Sequence, residues 1–156
     1  VPQRARALPD DLWAAMGAAD VVIHAGDWNS IPVLDEVERR CARLVGVRGN
    51  NDGPEFDDRL REEATVELDG VVLSVLHDSG AAEGREGRME RRFPDAGVVV
   101  FGHSHIPWDT VTPGGLRLLN PGSPTDKRRQ PTGTYLTATA VDGELREVEL
   151  VPLPHR

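Results

Sequence analysis

The sequence has one cysteine, Cys41, so no internal disulfide can form. Any core must come from packed side chains, and 156 residues suffice for one domain that buries such a core. Aromatics are scarce, with three Phe, three Trp and one Tyr. No apolar run approaches the roughly 20 residues of a membrane span. A positive excess is also missing, because 18 Lys and Arg stand against 26 Asp and Glu, a formal net charge of -8. That balance argues against a surface that grips nucleic acid, since such binding neutralises phosphates with Lys and Arg. It leaves room for a phosphate-containing small molecule, because bound metal reverses the sign locally. No signal peptide is visible, and a cytoplasmic home is the default expectation. There is no initiator Met either, since the chain begins at Val1.

Glycine and proline are plentiful, at 16 and 12, which suits many tight turns between short strands. Pro9 and Asp10 open a predicted helix through "DLWAAMGAA", with Asp10 as its cap. "DVVIHAGD" reads as a short strand ending in a polar loop. In "SIPVLDEVERRCARL" apolar residues recur at helical spacing (Ile31, Leu34, Val37, Cys41, Leu44), with Cys41 a helix residue of no special role. "LVGVRGNND" is again a strand and a polar loop. Hairpins are predicted in "ATVELDGVVLSVLHDSG" around Asp69-Gly70, in "WDTVTPGGLRLLN", and in "TYLTATAVDGELREVELV" around Asp142-Gly143. "EGREGRMERRF" is a polar helix candidate stopped by Pro94, and "AGVVVFGHSH" is a further strand. Helices alternate with strands early and hairpins dominate late. The order suits a mixed sheet, or two stacked sheets, with helices outside.

The strands end in a chemically consistent way. Gly26-Asp27 follows one, Gly49-Asn50-Asn51-Asp52 a second, His77-Asp78 a third, and Gly102-His103-Ser104-His105 a fourth. Sites in open α/β sheets gather beyond the carboxyl ends of strands. Asp27, Asn50, His77, His103 and His105 are therefore candidates to converge. Imidazole, carboxylate and amide oxygen together suit Mn, Fe, Ni or Zn. Glycines at 26, 49 and 102 are expected to let the backbone turn before each ligand. Plainer readings stand beside these. His24 lies inside an apolar run and reads as a hydrogen-bonded structural residue, and His155 as a tail residue. Asp52 reads equally as an orienting group or a turn aspartate. Ser104 lacks any evident relay that would make it a nucleophile.

"GDW", "GNND", "LHDSG" and "GHSH", with "NPGSP" (Asn120 to Pro124) behind them, stand in the order and approximate spacing of the calcineurin-like metallophosphoesterases. The chain resembles the small YfcE-type phosphodiesterase branch over roughly residues 8 to 151. The resemblance implies one domain over residues 1–156 with two stacked mixed β-sheets flanked by helices. It implies two divalent metal ions, Mn first with Fe, Ni or Zn as alternatives, and a small phosphodiester substrate attacked by a bridging hydroxide. Asp27 matches the bridging carboxylate, Asn50, His77 and His103 the other ligands of the second metal, and His105 a ligand of the first. The remaining ligands of that first metal come, in the family, from an Asp-x-His motif ahead of a "Leu-Pro" helix start. No such motif precedes Leu8-Pro9 here. The expectation is roughly ten more residues in front of Val1, about one strand and its turn.

Many relatives carry histidine as general acid where this chain has Asn51, which cannot give up a proton that way. Asn51 and Arg48 are candidate substrate contacts. Lys127, Arg128 and Arg129, which follow "NPGSPT", are also candidates to touch a phosphate, though a solvated basic run is the plainer reading of them. A homo-oligomer of two or more copies is the family habit. The rival is a non-catalytic protein-binding scaffold of the same fold, as in the retromer subunit, whose mark would be eroded ligands.

Overall fold

The computed structural model describes residues 8–153. Its chain order is α1 (Asp10–Ala18), β1 (Val22–His24), α2 (Ile31–Arg40), β2 (Leu44–Gly46), a 3-10 turn (Pro54–Phe56), β3 (Glu63–Leu68) and β4 (Val71–Leu76). Then come α3 (Arg85–Arg92), β5 (Val98–Val100), β6 (Trp108–Val111), β7 (Arg117–Asn120), β8 (Gly133–Val141) and β9 (Glu144–Leu153).

Five strands form a mixed sheet in the order β3-β4-β5-β7-β6. β4, β5 and β7 run parallel at its centre, and antiparallel β3 and β6 close its edges. Strand alternation sends Val71, Leu73 and Val75 to one face, and Val98, Val100 and Leu119 join them there. Two ribbons pack on this face. Parallel β1-β2 contributes Ile23 and Val45, and antiparallel β8-β9 contributes Leu136, Ala140, Leu145 and Val148. The opposite face, with Leu76, Val99 and Leu118, is covered by Met89 and Phe93 from and beside α3. On the outer side of β1-β2, α1 and α2 bury Trp28, Leu34 and Val37 with Phe56. The layering is thus helices, ribbons, sheet, helix, and the expected second sheet is divided into two ribbons. Burying one such aliphatic side chain contributes about 1.5–3 kcal/mol, so the valine strands hold the short loops beyond them in place.

All three predicted hairpins form, as β3-β4, β6-β7 and β8-β9. Asp69-Gly70 and Asp142-Gly143 both have positive φ, as a two-residue turn needs. The two turns also touch, because Asp69 accepts hydrogen bonds from the backbone N–H groups of Asp142 and Gly143, each at 2.8 Å. Two helix boundaries differ from expectation. Asp10 does not cap α1: Pro9 occupies that position and Asp10 lies in the first turn, where its charge complements the helix dipole. α2 stops at Arg40, Cys41 is extended at its end, and Leu44 already belongs to β2. At its start Ser30 caps the helix by accepting from Val33 N–H at 3.4 Å. Among the described residues no helix is long and apolar enough to cross a membrane.

Candidate metal centre

The carboxyl ends of β1, β2, β4 and β5 meet at one rim. Gly26 and Gly49, from the loops after β1 and β2, lie back to back. A Cβ on Gly26 would stand 2.7 Å from Gly49 N, and one on Gly49 would stand 2.2 Å from Asp27 Oδ1. Only glycine permits that approach. Gly102 is different, because a Cβ there meets ordinary contacts and its φ is unremarkable. The left-handed turns beside it belong to the histidines, with φ 67° at His103 and 61° at His105. Asp27 and Asn29 are left-handed too, at 63° and 67°. Strain in non-glycine residues persists where surroundings over-determine it, and it gathers at functional sites.

Asp52 supplies much of that determination. It is buried, and its Oδ2 accepts from Asp27 N–H at 3.0 Å and Gly49 N–H at 2.8 Å. Its Oδ1 accepts from Asn29 N–H at 2.8 Å. One carboxylate therefore ties the loop after β1 to the loop after β2. Asn51 holds the Asp27 carboxylate directly: its backbone N–H donates to Oδ1 at 3.0 Å and its side-chain amide to Oδ2 at 3.1 Å. Fully buried Asn120 does similar work for the histidine loop, donating to Gly102 carbonyl at 3.2 Å and Ser104 Oγ at 3.3 Å. Ser104 Oγ also accepts from Ile106 N–H, so the hydroxyl is engaged in shaping the loop.

Four of the five candidate ligands come together. His77 Nε2 stands 2.7 Å from Asn50 Oδ1, 3.3 Å from His103 Nδ1 and 3.4 Å from Asp27 Oδ2. His103 Nδ1 is also 3.2 Å from Asn50 Oδ1. The other nitrogen of His77, Nδ1, lies 2.7 Å from the Ala25 carbonyl, an acceptor only, so it carries the ring hydrogen. In the neutral ring Nε2 then presents a lone pair to two oxygens and another imidazole. With the His103 hydrogen on Nε2, four acceptors face one another, an arrangement that a bound cation would satisfy. On the far side of His103, Asp78 Oδ2 stands 3.9 Å from Nε2, beyond hydrogen-bond distance; with the ring hydrogen on Nε2, Nδ1 can serve a cation. Among the described residues no group of three or more His, Cys, Asp and Glu side chains is spaced for a metal ion; the close set here is Asn50 Oδ1 with the two imidazoles, and Asp27 Oδ2 stands 3.4 Å from His77 Nε2.

His105 takes a separate position. Its Nδ1 donates to Asp126 carbonyl at 2.7 Å, which leaves the Nε2 lone pair. Burial, and then the nearby Arg128 charge, hold its pKa below the usual imidazole range. It shares with Asp27, Asn51, His77 and His103 the wall of one cavity of about 900 Å³. Arg48 is not on that wall. Its guanidinium pairs with Asp57 and, at 3.0 Å, with Glu62, so it reaches the rim already counter-charged. Lys127 donates to the Gln130 carbonyl, whereas Arg128 lies on the cavity wall. His24 is a structural residue: its Nδ1 accepts from Gly26 N–H at 3.1 Å, and its ring stacks on Trp28 with centroids 3.7 Å apart.

The sequence and the fold have counterparts among known proteins. The calcineurin-like phosphoesterase superfamily domain matches residues 4–143. A curated protein of Methanothermobacter thermautotrophicus, named "Probable metallophosphoesterase", is 27% identical over 153 residues, spanning 97% of this chain and 86% of that protein. Another of that name, from Methanocaldococcus jannaschii, is 30% identical over 130 residues, which is 80% of this chain and 64% of its own length. A solution NMR structure of a Thermotoga maritima protein superposes with a TM-score of 0.76 at 32% identity, covering 98% of this chain and 93% of that one. Zinc-bound Vps29 of Entamoeba histolytica has the same fold, with a TM-score of 0.76 at 20% identity and the same coverage.

Proposed function

Because the chain belongs to the calcineurin-like phosphoesterase superfamily, we propose that it is a metal-dependent phosphodiesterase whose ion site is built by Asp27, Asn50, His77 and His103, with His105 serving a second ion. The observation that carries this reading is the convergence of Asn50 Oδ1, His103 Nδ1 and Asp27 Oδ2 on His77 Nε2. Two divalent ions, Mn first, would supply acidified water as nucleophile and counter-charge for the phosphoryl oxygens. The chain's own residues then have defined tasks. Asp27 brings the negative charge, and Asn51 keeps both of its oxygens oriented. Ala25 carbonyl fixes the His77 tautomer, and Asp126 carbonyl fixes that of His105. The Asn51 amide offers no acid for a leaving alkoxide, so the reading favours esters with stable leaving groups.

The second ion needs more ligands than His105 alone. A feature of the cavity supports a source for them. Among the described residues β1 pairs only with β2 and β8 only with β9, and β1 and β8 both line the cavity, over a floor of Leu73, Val100 and Leu119. Unpaired strand edges over an apolar floor fit one further strand. In our reading a strand laid there would end beside Asp27 and bring the missing ligands.

The activity test is hydrolysis of a chromogenic phosphodiester by the full-length protein with added Mn, with and without chelator. Turnover that chelator abolishes and Mn restores is the expected result. Metal-loaded protein without turnover would reject the enzyme reading and leave the scaffold rival.

A further inference from the structure

Among the described residues lining the 900 Å³ cavity, Arg128 is the sole Arg or Lys, whereas Asp20, Asp27, Asp69 and Asp126 are all on its wall. Away from the cavity, Arg48, Arg59 and Arg117 each meet one or two carboxylates. Arg128 has no carboxylate at ion-pair distance among the described residues. Its one protein contact of note is weak: Nη1 donates to the carbonyl of Ser104 at 3.4 Å. That carbonyl lies between His103 and His105, so the guanidinium is moored to the loop that carries both imidazoles. The backbone of Arg128 is left-handed, with φ 50°, an uncommon state for a long side chain. A guanidinium has five N–H donors in a planar fork, and the mooring uses one of them.

We propose that Arg128 is a substrate-anchoring residue, which grips a non-bridging phosphoryl oxygen of the ester while the Ser104 carbonyl holds the guanidinium at the cavity wall. The proposal rests on the phosphodiesterase reading of the site. It follows from charge placement. At the imidazole end of the cavity Asp27 and Asp126, beside His77 and His105, repel an anionic ester, and Arg128 is the fixed positive side chain among the lining residues that offsets them. Charge-assisted contacts of this kind discriminate by geometry as well as by charge. Arg128 is exposed, so its truncation leaves the packed layers intact.

The test compares wild type, Arg128→Ala and Arg128→Lys in the full-length, Mn-loaded protein. Inorganic phosphate is titrated calorimetrically, and bis(p-nitrophenyl) phosphate hydrolysis is followed in parallel. Loss of one charge-assisted contact should weaken phosphate binding and raise KM by about tenfold in the alanine variant, with kcat within about twofold. Lysine should recover part of the affinity, because it keeps the charge and loses the fork. Metal content by elemental analysis should not change. Unchanged phosphate affinity and KM would overturn the proposal. So would a joint fall in metal content and kcat, which would mark Arg128 as a support for the histidine loop. If wild type binds phosphate and hydrolyses no diester, the phosphodiesterase reading fails, and the titration still decides whether Arg128 anchors phosphate.

Discussion

Two sides of the same rim differ in how they are held. On the Asp27 side every loop is tied to another: Asp52 accepts three backbone N–H groups from two loops, Asn51 holds both oxygens of Asp27, and Ala25 carbonyl holds His77. On the His105 side Asn120 and Ser104 brace the loop backbone, but the His105 ring itself is held by one carbonyl contact from Asp126, and Arg128 adds one long contact to the loop. The first side is preorganised by groups that do no chemistry themselves. The second borders unpaired strand edges, and its geometry depends on what fills the cavity. The contrast teaches that one rim can hold a finished half-site and an open one, and it can be broken experimentally.

The largest effect should come from the finished side. Asp27→Ala removes the one carboxylate in the converging set and should lower metal-dependent diester turnover by at least about a thousandfold, a loss of the size expected when charge stabilisation at a metal-assisted site disappears. Elemental analysis should show lost metal in step. A variant that kept both metal and turnover would mean that the convergence is structural alone.

Next, Asp52→Ala leaves three backbone N–H groups without their acceptor, two of them beside buried Asp27 and Gly49. At about 1–3 kcal/mol for each unsatisfied buried group, only partly offset by water, a loss of about 3 kcal/mol is expected from urea unfolding. Asp126→Ala on the open side removes a half-buried carboxylate 3.9 Å from His105 and keeps the carbonyl, so it should cost under about 1 kcal/mol. Equal costs would erase the distinction between the two sides.

Much of this was legible beforehand, for identifiable reasons. Val98–Val100 and Val71–Leu76 announce buried strands by composition, and Asp69-Gly70 and Asp142-Gly143 announce their turns. Histidines directly after such strands mark the rim, because strand ends are where side chains of distant segments meet. Other features leave no local trace. Asp52 reads as a turn residue in "GNND", since its partners Asp27 and Asn29 lie more than twenty residues away. Asn120 gives no hint of its bond to Ser104. Leu44 continues the helical spacing of α2 although the chain has already turned into β2, because periodicity counts positions and not direction. Among the described residues β1 and β8 do not pair, so the second layer splits into two ribbons, which no pattern within either strand records.

A smaller effect separates the rim from its support by pH. Burial beside Trp28 pushes the His24 pKa down to about 3. The unfolded chain binds this proton near pH 6.5 and the folded chain does not, so the contribution to stability is whole above 6.5 and falls as pH drops toward 3. Because the ring also borders the cavity, about 1 kcal/mol between pH 7 and 5 is the expected share. His24→Asn keeps an acceptor for Gly26 N–H and does not titrate. Urea midpoints of the two proteins should therefore diverge less at pH 5 than at pH 7. A constant difference across that range would show that the ring is solvated through the cavity.

The smallest effect is the most discriminating about charge. Arg48 and Arg128 are both arginines near the rim, and the sequence favours Arg48, which sits one residue before the Gly-Asn turn. The structure gives it two carboxylate partners, Asp57 and Glu62, on the exposed surface. A guanidinium already paired has little attraction left for an anion a few residues away, and exposed pairs contribute little by themselves. Arg48→Ala should therefore leave KM for the chromogenic diester within about twofold of wild type, where Arg128→Ala raises it. Should Arg48→Ala raise KM as much as Arg128→Ala, the pairing with Asp57 and Glu62 must open when substrate arrives, and proximity in sequence would have outweighed the counter-charge seen in the fold.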